Sequence, residues 1–328
     1  MIGEGELFVY DIDRGNALTK RVRLPFSGPA DGAVAGPGGI LYVSWGGSGG
    51  SQGNGSLLAY DLVHNKTLWN RSYASGVDSM AITPNGRRIY MPAGEQSGSG
   101  TWQVIDATNG KVVGKVAAGA SAHDTCMGAD GRFVYLGGVD TPYLAVARTA
   151  TNKVVKKIGP LHGPGVRPFT INRSQTLAFT TARSFLGFQV SSIRSGKVLF
   201  NAAPPGFSFD PAVFTHTPNH GIALSPNGRQ LSLVDAPNGY VHVFDVSGLP
   251  RSAPRDIANI KLDHGPSDNS WLSYGNGRYL YVGDSGDVID TATRKIVDYL
   301  PPLAKTTVFI EIDWQHGKPV SATTSRCN

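Results

Sequence analysis

One motif recurs along the chain at a spacing in the forties. Seven segments share apolar residues, a turn-forming centre, then apolar alternation again: "LFVYDIDRGNAL" (7–18), "LLAYDLVHNKTL" (57–68), "WQVIDATNGKVV" (102–113), "LAVARTATNKVV" (144–155), "FQVSSIRSGKVL" (188–199), "VHVFDVSGLPRS" (241–252) and "GDVIDTATRKIV" (286–297). The matching positions are Asp11, Asp61, Asp106, Arg148, Ser192, Asp245 and Asp290. Polar turn residues between two alternating runs predict a β-hairpin. A second set of short apolar runs lies between the hairpins, from "LYVSWGG" (41–47) through "LYVGDSG" (280–286) to "VSATTSR" (320–326). Each is preceded by another short strand and a turn such as "PNG", "ADG" or "GNG". Each unit therefore holds four strands. Four strands at this period predict a β-propeller, and about seven units fit the length.

Residues 1–328 read as a single all-β domain, a seven-bladed propeller of four-stranded antiparallel blades. The first segment (6–25) and the last (308–326) supply two strands each. Pairing them in one shared blade would close the ring and remove exposed edges. No amphipathic helix pattern interrupts the repeat. The 42 glycines and 21 prolines suit many tight turns.

Within this frame "LYVSWGG", "LYVGDSG", "VIDATNGKVV" and "VIDTATRKIV" resemble the YVTN-type repeat propellers of bacteria and archaea. The tetrad is degenerate, with Ser, Gly or Thr where its Asn would stand. "GVRPFTIN" (165–172) resembles that family's Gly-x-x-Pro blade start. The resemblance covers nearly the whole chain and implies the fold. It implies a periplasmic or secreted place, although the residues themselves leave a cytoplasmic one open. No catalytic motif of the family transfers residue by residue.

Composition narrows the partners. Net charge is +6, but the densest basic runs are only "KRVR" (20–23) and "KK" (156–157). Nucleic-acid binders concentrate charge in a stripe with interleaved aromatics, so nucleic acid is not expected. No apolar stretch is long enough to span a membrane. No secretory signal is present, and the start in a strand-like segment suits a mature or trimmed chain. Cys126 and Cys327 are the two cysteines. Cys126 reads as a buried free thiol and Cys327 as an exposed one, with a bridge between them as the less favoured alternative.

In a propeller the first strand of each blade lines the central channel, and its start opens on the face where ligands bind. Counting back six residues from the turn position before "NG" or "DG" gives Asp78, His123, His220 and Asn269. The same count gives Val166, with Arg167 in phase only if its strand is bulged. The closing blade gives Phe309, with Glu311 deeper on the same side, and Trp271 lies two residues beyond Asn269. Strand periodicity sets equivalent residues at one depth. Two glycine-rich loops (46–55 and 94–100) and an insertion (204–219) are expected at the same face. Phe207, Phe209, Phe214 and His216 of the insertion would form a wall, a lid or a hydrophobic plug. The recurring Asp of "VID" and "VFD" reads as structural, binding its own backbone at a turn. His64 and His242 fall in third strands or their turns and read as uninvolved.

These groups suit a small-molecule site. His123, His220 and Asp78 are a candidate set for one divalent ion, with Zn, Mn, Ni or Fe preferred over Ca; no organic cofactor is expected. Arg167 or a metal would neutralise a substrate carboxylate, and His123 or His220 would remove the adjacent proton. The product would be that of β-elimination, as in propeller lyases that cut uronic-acid sugars or lactones, a comparison of folds only. Hydrolysis by an activated water is the related option. Asp78, Glu311, Asn269, Trp271, His216 and Phe214 would line the ligand. The alternatives are a non-catalytic periplasmic or surface module for a ligand, glycan or protein, and a structural propeller with a merely solvated channel. A monomer acting on a small molecule or glycan is the expected form.

Overall fold

A computed structural model describes residues 1–163 and 165–322, with no side-chain statement for 321–322. The chain is all-β; the only helical pieces among the described residues are three single 3-10 turns. It falls into two compact units, one of Met1–Leu24 with Pro160–Phe309, the other of Pro25–Gly159 with the chain's last segment from Ile310.

In the first unit β1 (Glu6–Asp11) and β2 (Ala17–Arg23) form a two-stranded sheet. The second unit opens with β3 (Ala30–Gly36), β4 (Ile40–Trp45), β5 (Gly55–Asp61) and β6 (Lys66–Tyr73), then β7 (Ala81–Ile82), β8 (Arg88–Pro92), β9 (Thr101–Asp106) and β10 (Val112–Ala117). Its third blade is β11 (Ala122–Met127), β12 (Phe133–Gly138), β13 (Leu144–Arg148) and β14 (Lys153–Ile158). The first unit continues with β15 (Phe169–Ile171), β16 (Leu177–Ala182), β17 (Phe185–Ser192) and β18 (Val198–Ala202). There follow β19 (Ile222–Leu224), β20 (Gln230–Asp235), β21 (Tyr240–Asp245) and β22 (Arg255–Lys261), then β23 (Leu272–Gly275), β24 (Tyr279–Val282), β25 (Asp287–Asp290) and β26 (Lys295–Tyr299). β27 (Ile312–Gln315) and β28 (Lys318–Ala322) end the second unit. Six four-stranded antiparallel meanders result, the blades expected from the repeat.

The first and last segments form two separate two-stranded sheets, β1–β2 and β27–β28, and not the one four-stranded blade expected. In the first unit β1–β2 flanks the last full blade: the Tyr281 hydroxyl and Asn16 Oδ1 are 2.6 Å apart, and Asn16 donates to Asp298 at 3.2 Å. In the second unit β28 lies beside β3. Residues 323–326 of the expected last strand, and Cys327, lie outside the described residues.

Each recurring Asp closes its hairpin turn. Asp61 accepts from the amides of Val63 and His64, both at 2.9 Å. Asp106 accepts from Thr108, Asp245 from Ser247 and Asp290 from Thr293, in each case through both amide and hydroxyl. These donors hold the four carboxyls below their ordinary range.

Blades pack face to face through apolar strand residues. Val34, Leu57, Met80, Ile89, Met91 and Ile105 form one such cluster in the second unit, each almost fully buried. Side chains of this size contribute roughly 1.5–3 kcal/mol each when buried. Cys126, buried on β11, is disulfide-bonded and not the expected free thiol.

Candidate functional site

The turns that end the first strands share one structure, which sets the register of everything upstream. Gly86 donates to the Thr83 carbonyl at 2.8 Å, Gly131 to Gly128 at 2.8 Å, Gln175 to Asn172 at 2.8 Å and Gly228 to Ser225 at 2.7 Å. In two of them a hydroxyl and an Asn side chain repeat the same bonds: Thr83 with Asn85 at 2.7 Å, Ser225 with Asn227 at 2.8 Å. Residues six positions upstream are therefore at equivalent depth.

In the second unit this position carries Asp78 and His123, both buried. His123 Nδ1 lies 3.0 Å from Asp78 Oδ2 and 4.0 Å from Glu95 Oε2. Asp78 also accepts from the Ser79 amide at 2.7 Å and the Glu95 amide at 3.2 Å. His123 is the extra residue of a β-bulge, where pairing skips from Ala122 to Asp124. An identical skip from Ala30 to Gly32 leaves Asp31 as the extra residue of β3. Bulges re-aim single side chains without ending the ladder. Asp31 also stands six residues before the position preceding Gly38-Gly39, so it belongs to the same set. The sequence count missed it because that turn carries no Asn or Asp. Glu95 was missed because it lies in the second glycine-rich loop, outside any first strand.

The two glycine-rich loops pack on each other around this cluster. Gln96 donates to the Gly49 carbonyl at 2.9 Å. A Cβ on Gly94 would stand 2.1 Å from the Gly49 oxygen, and one on Gly76 would stand 2.4 Å from the Ala93 oxygen. Both glycines have positive φ. Backbone lies directly on backbone here, which only glycine permits.

In the first unit Arg167 is buried and its Nη2 donates to Asn269 Oδ1 at 2.9 Å. β19, which follows His220, lies beside both β15 and β23. The bond thus joins two first-strand starts that flank the one carrying His220. The bulge expected in the Arg167 strand is not found: β15 pairs regularly with β16, and it is β16 that shifts against β17 at Thr181, whose hydroxyl donates to the Arg167 carbonyl. His220 is 2% exposed, and its ring meets Trp271 edge-on, with centroids 5.1 Å apart. Trp271 is itself buried.

The insertion is tied down at several points. Phe207 packs edge-on against Tyr240 and His242, at 4.9 and 4.5 Å. The Ser208 carbonyl accepts from Asn238 at 3.1 Å. Phe214 is half-buried in a turn capped by Asp210, and His216 Nδ1 lies 3.1 Å from Asp268 Oδ2. His242 is fully buried, with its Nε2 2.9 Å from Asp235. The Asn259 side-chain amide meets its other nitrogen at 2.6 Å, so His242 is a structural ring. His64 pairs with the turn carboxylate of Asp61 at 2.8 Å. Glu311 is half-buried just before β27, in the second unit.

Chemically, Asp78 orients an imidazole, the arrangement of a general acid or base. Arg167 presents a buried guanidinium positioned in part by the Asn269 side chain. Among the described residues no three His, Cys, Asp or Glu side chains are grouped to hold a metal ion.

No family model and no curated protein matches the chain. Among solved structures, 1486 chains match, so the architecture is too widespread to indicate a function. One of them belongs to a crystal structure described as that of the Mitotic Checkpoint Complex. It is 14% identical, with a TM-score of 0.65, over 85% of this chain and 78% of that one. The chain has a β-propeller fold. At this identity the likeness concerns fold alone. No helix among the described residues is long and apolar enough to cross a membrane.

Proposed function

We propose that this propeller binds a small anionic, hydroxyl-bearing molecule such as a uronic acid, with Arg167 as the charged contact. The observation that carries this reading is the Arg167–Asn269 bond across the blade of His220. It fixes one arm of the planar guanidinium, and a planar fork of donors suits a carboxylate. His220 stands in the intervening blade as the proton acceptor. His220 removes the proton beside the ligand's carboxylate while Arg167 stabilises the enolate charge; the bond from the β-carbon to its oxygen substituent then breaks as a carbon–carbon double bond forms, and the departing oxygen takes the proton back from His220. Asp78, His123 and Glu95 supply a second candidate base in the other unit.

A non-catalytic binding role is the second reading. The near-complete burial of His220 against Trp271 favours it, because a working base needs access to its substrate. The affinity of the repeats to YVTN-type propellers belongs to this proposal, as does action as a monomer outside the cytoplasm. A disulfide-bonded Cys126 suits an oxidising compartment.

The test is calorimetric binding of glucuronate, with a turnover screen of uronic-acid glycans and lactones, each with chelator and with added zinc or manganese. Arg167→Met should abolish binding. His220→Ala should remove turnover and spare binding. Binding without turnover in the wild type selects the second reading. Binding that is absent, or unchanged in Arg167→Met, overturns the proposal.

A further inference from the structure

The insertion and the Arg167 contact are linked through one short turn. Residues 267–270 close on themselves: the Ser270 amide donates to the Ser267 carbonyl at 3.2 Å, and the Ser267 amide donates to the Ser270 hydroxyl at 2.8 Å. The Asn269 amide donates to Ser267 Oγ at 3.0 Å, and Ser267 Oγ donates to Asp284 at 2.5 Å. Asp284 thus holds one side of the turn. The other side is held from outside, by His216 on Asp268. Asn269, between these anchors, fixes the guanidinium of Arg167.

We infer that His216 and Asp268 are a positioning pair for the Arg167 contact, and that protonation of His216 tightens it. The inference rests on the anion-binding reading above. Imidazole is the ordinary side chain that changes charge between pH 5 and 8. When His216 is cationic it holds Asp268 as an ion pair. When it is neutral, Asp268 is released from the insertion and Asn269 loses its outer anchor. Other titratable and charged groups surround this path. His220 lies against Trp271, His242 is held by Asp235 and Asn259, and Asp256 is raised by burial. Lys261 lies over Tyr240, Asp210 caps the insertion's own turn, and Asp284 holds Ser267. Of these groups, His216 is the one seen to span the insertion and the turn. The pair is half open to solvent, with 63% of the His216 side chain exposed, so its effect is that of a surface ion pair.

The experiment measures glucuronate affinity at pH 5.5 and 7.5, where the ligand's charge is constant. Wild type should bind roughly two- to fivefold tighter at the lower pH. His216→Gln and Asp268→Asn should bind equally at both, at the weaker level. His216→Lys, cationic at both, should bind equally at both, at the tighter level; a merely structural role for His216 would not give that pattern. A wild-type dependence that survives in His216→Gln assigns it to another group and overturns the inference. Amide exchange of residues 209–216, corrected for intrinsic rate, tests the pair without ligand. Protection should fall from pH 5.5 to 7.5 in wild type and stay constant in His216→Lys; equal behaviour in both overturns the inference. Failure of glucuronate to bind at either pH overturns the anion-binding reading, and the exchange result then decides the pair.

Discussion

Replacing Asp78 by Ala removes the acceptor that holds the buried cluster of the second unit together. Three donors meet this carboxylate: the Ser79 amide at 2.7 Å, the Glu95 amide at 3.2 Å and His123 Nδ1 at 3.0 Å. Asp78 and His123 are only 6% and 5% exposed, so water compensates poorly. Each buried donor left without an acceptor costs about 1–3 kcal/mol. Breaking one side of a buried charged pair typically costs about 3–5 kcal/mol. We expect a loss in that range, somewhat reduced by relaxation of the adjoining loop. The contribution of the pair itself is isolated by a double-mutant cycle of Asp78→Asn and His123→Ala, read by urea unfolding with circular dichroism and tryptophan fluorescence. A charge-assisted hydrogen bond predicts a coupling of about 1.5–3 kcal/mol. A coupling under about 0.5 kcal/mol is what independent sites show, and it would refute the claim that His123 is oriented by Asp78.

Two more predictions follow from the turns and loops. The carboxyl of Asp106 is held below its ordinary range, first by the Thr108 hydroxyl and then by the Thr108 amide. A depressed carboxyl gives stability that is present above the unfolded-state value, near pH 4, and is lost as pH falls through the folded value. Asp106→Asn should therefore be less stable than wild type at pH 7, with the gap in urea midpoints narrowing as pH falls below about 4; parallel curves would contradict the assignment. Gly94→Ala should cost about 1–3 kcal/mol more than Gly98→Ala in the same loop. Both have positive φ, but a Cβ at Gly98 meets open space while one at Gly94 meets the Gly49 carbonyl. Equal thermal shifts would count against that packing.

The strands were legible because hairpin turns and alternation are local properties. All seven hairpins appear where the repeat puts them. The recurring Asp was read correctly because an Asx turn is satisfied within three residues. The count from the "NG" and "DG" turns located Asp78, His123 and Asn269 usefully, since two of its members meet across blades and Asn269 meets Arg167. What escaped depends on long-range placement. Glu95 folds in from a loop, Asp31 precedes a turn of unfamiliar composition, and Phe207 of the insertion buries its ring on His242. Pairwise turn rules carry no information on such contacts. Nor does residue type alone show that Cys126 is bonded.

The main-chain contacts among Gly49, Gly50, Gly76 and Gly94 carry a consequence for how this surface can change over generations. A Cβ at Gly50, Gly76 or Gly94 would meet a backbone oxygen at 2.4 Å or less, so tolerated change there falls on loop length and on the neighbours Glu95, Gln96 and Ser97, whose side chains already clear the contact. Diversification of whatever this face recognises would have to run through those three residues, over a floor that mutation leaves unaltered.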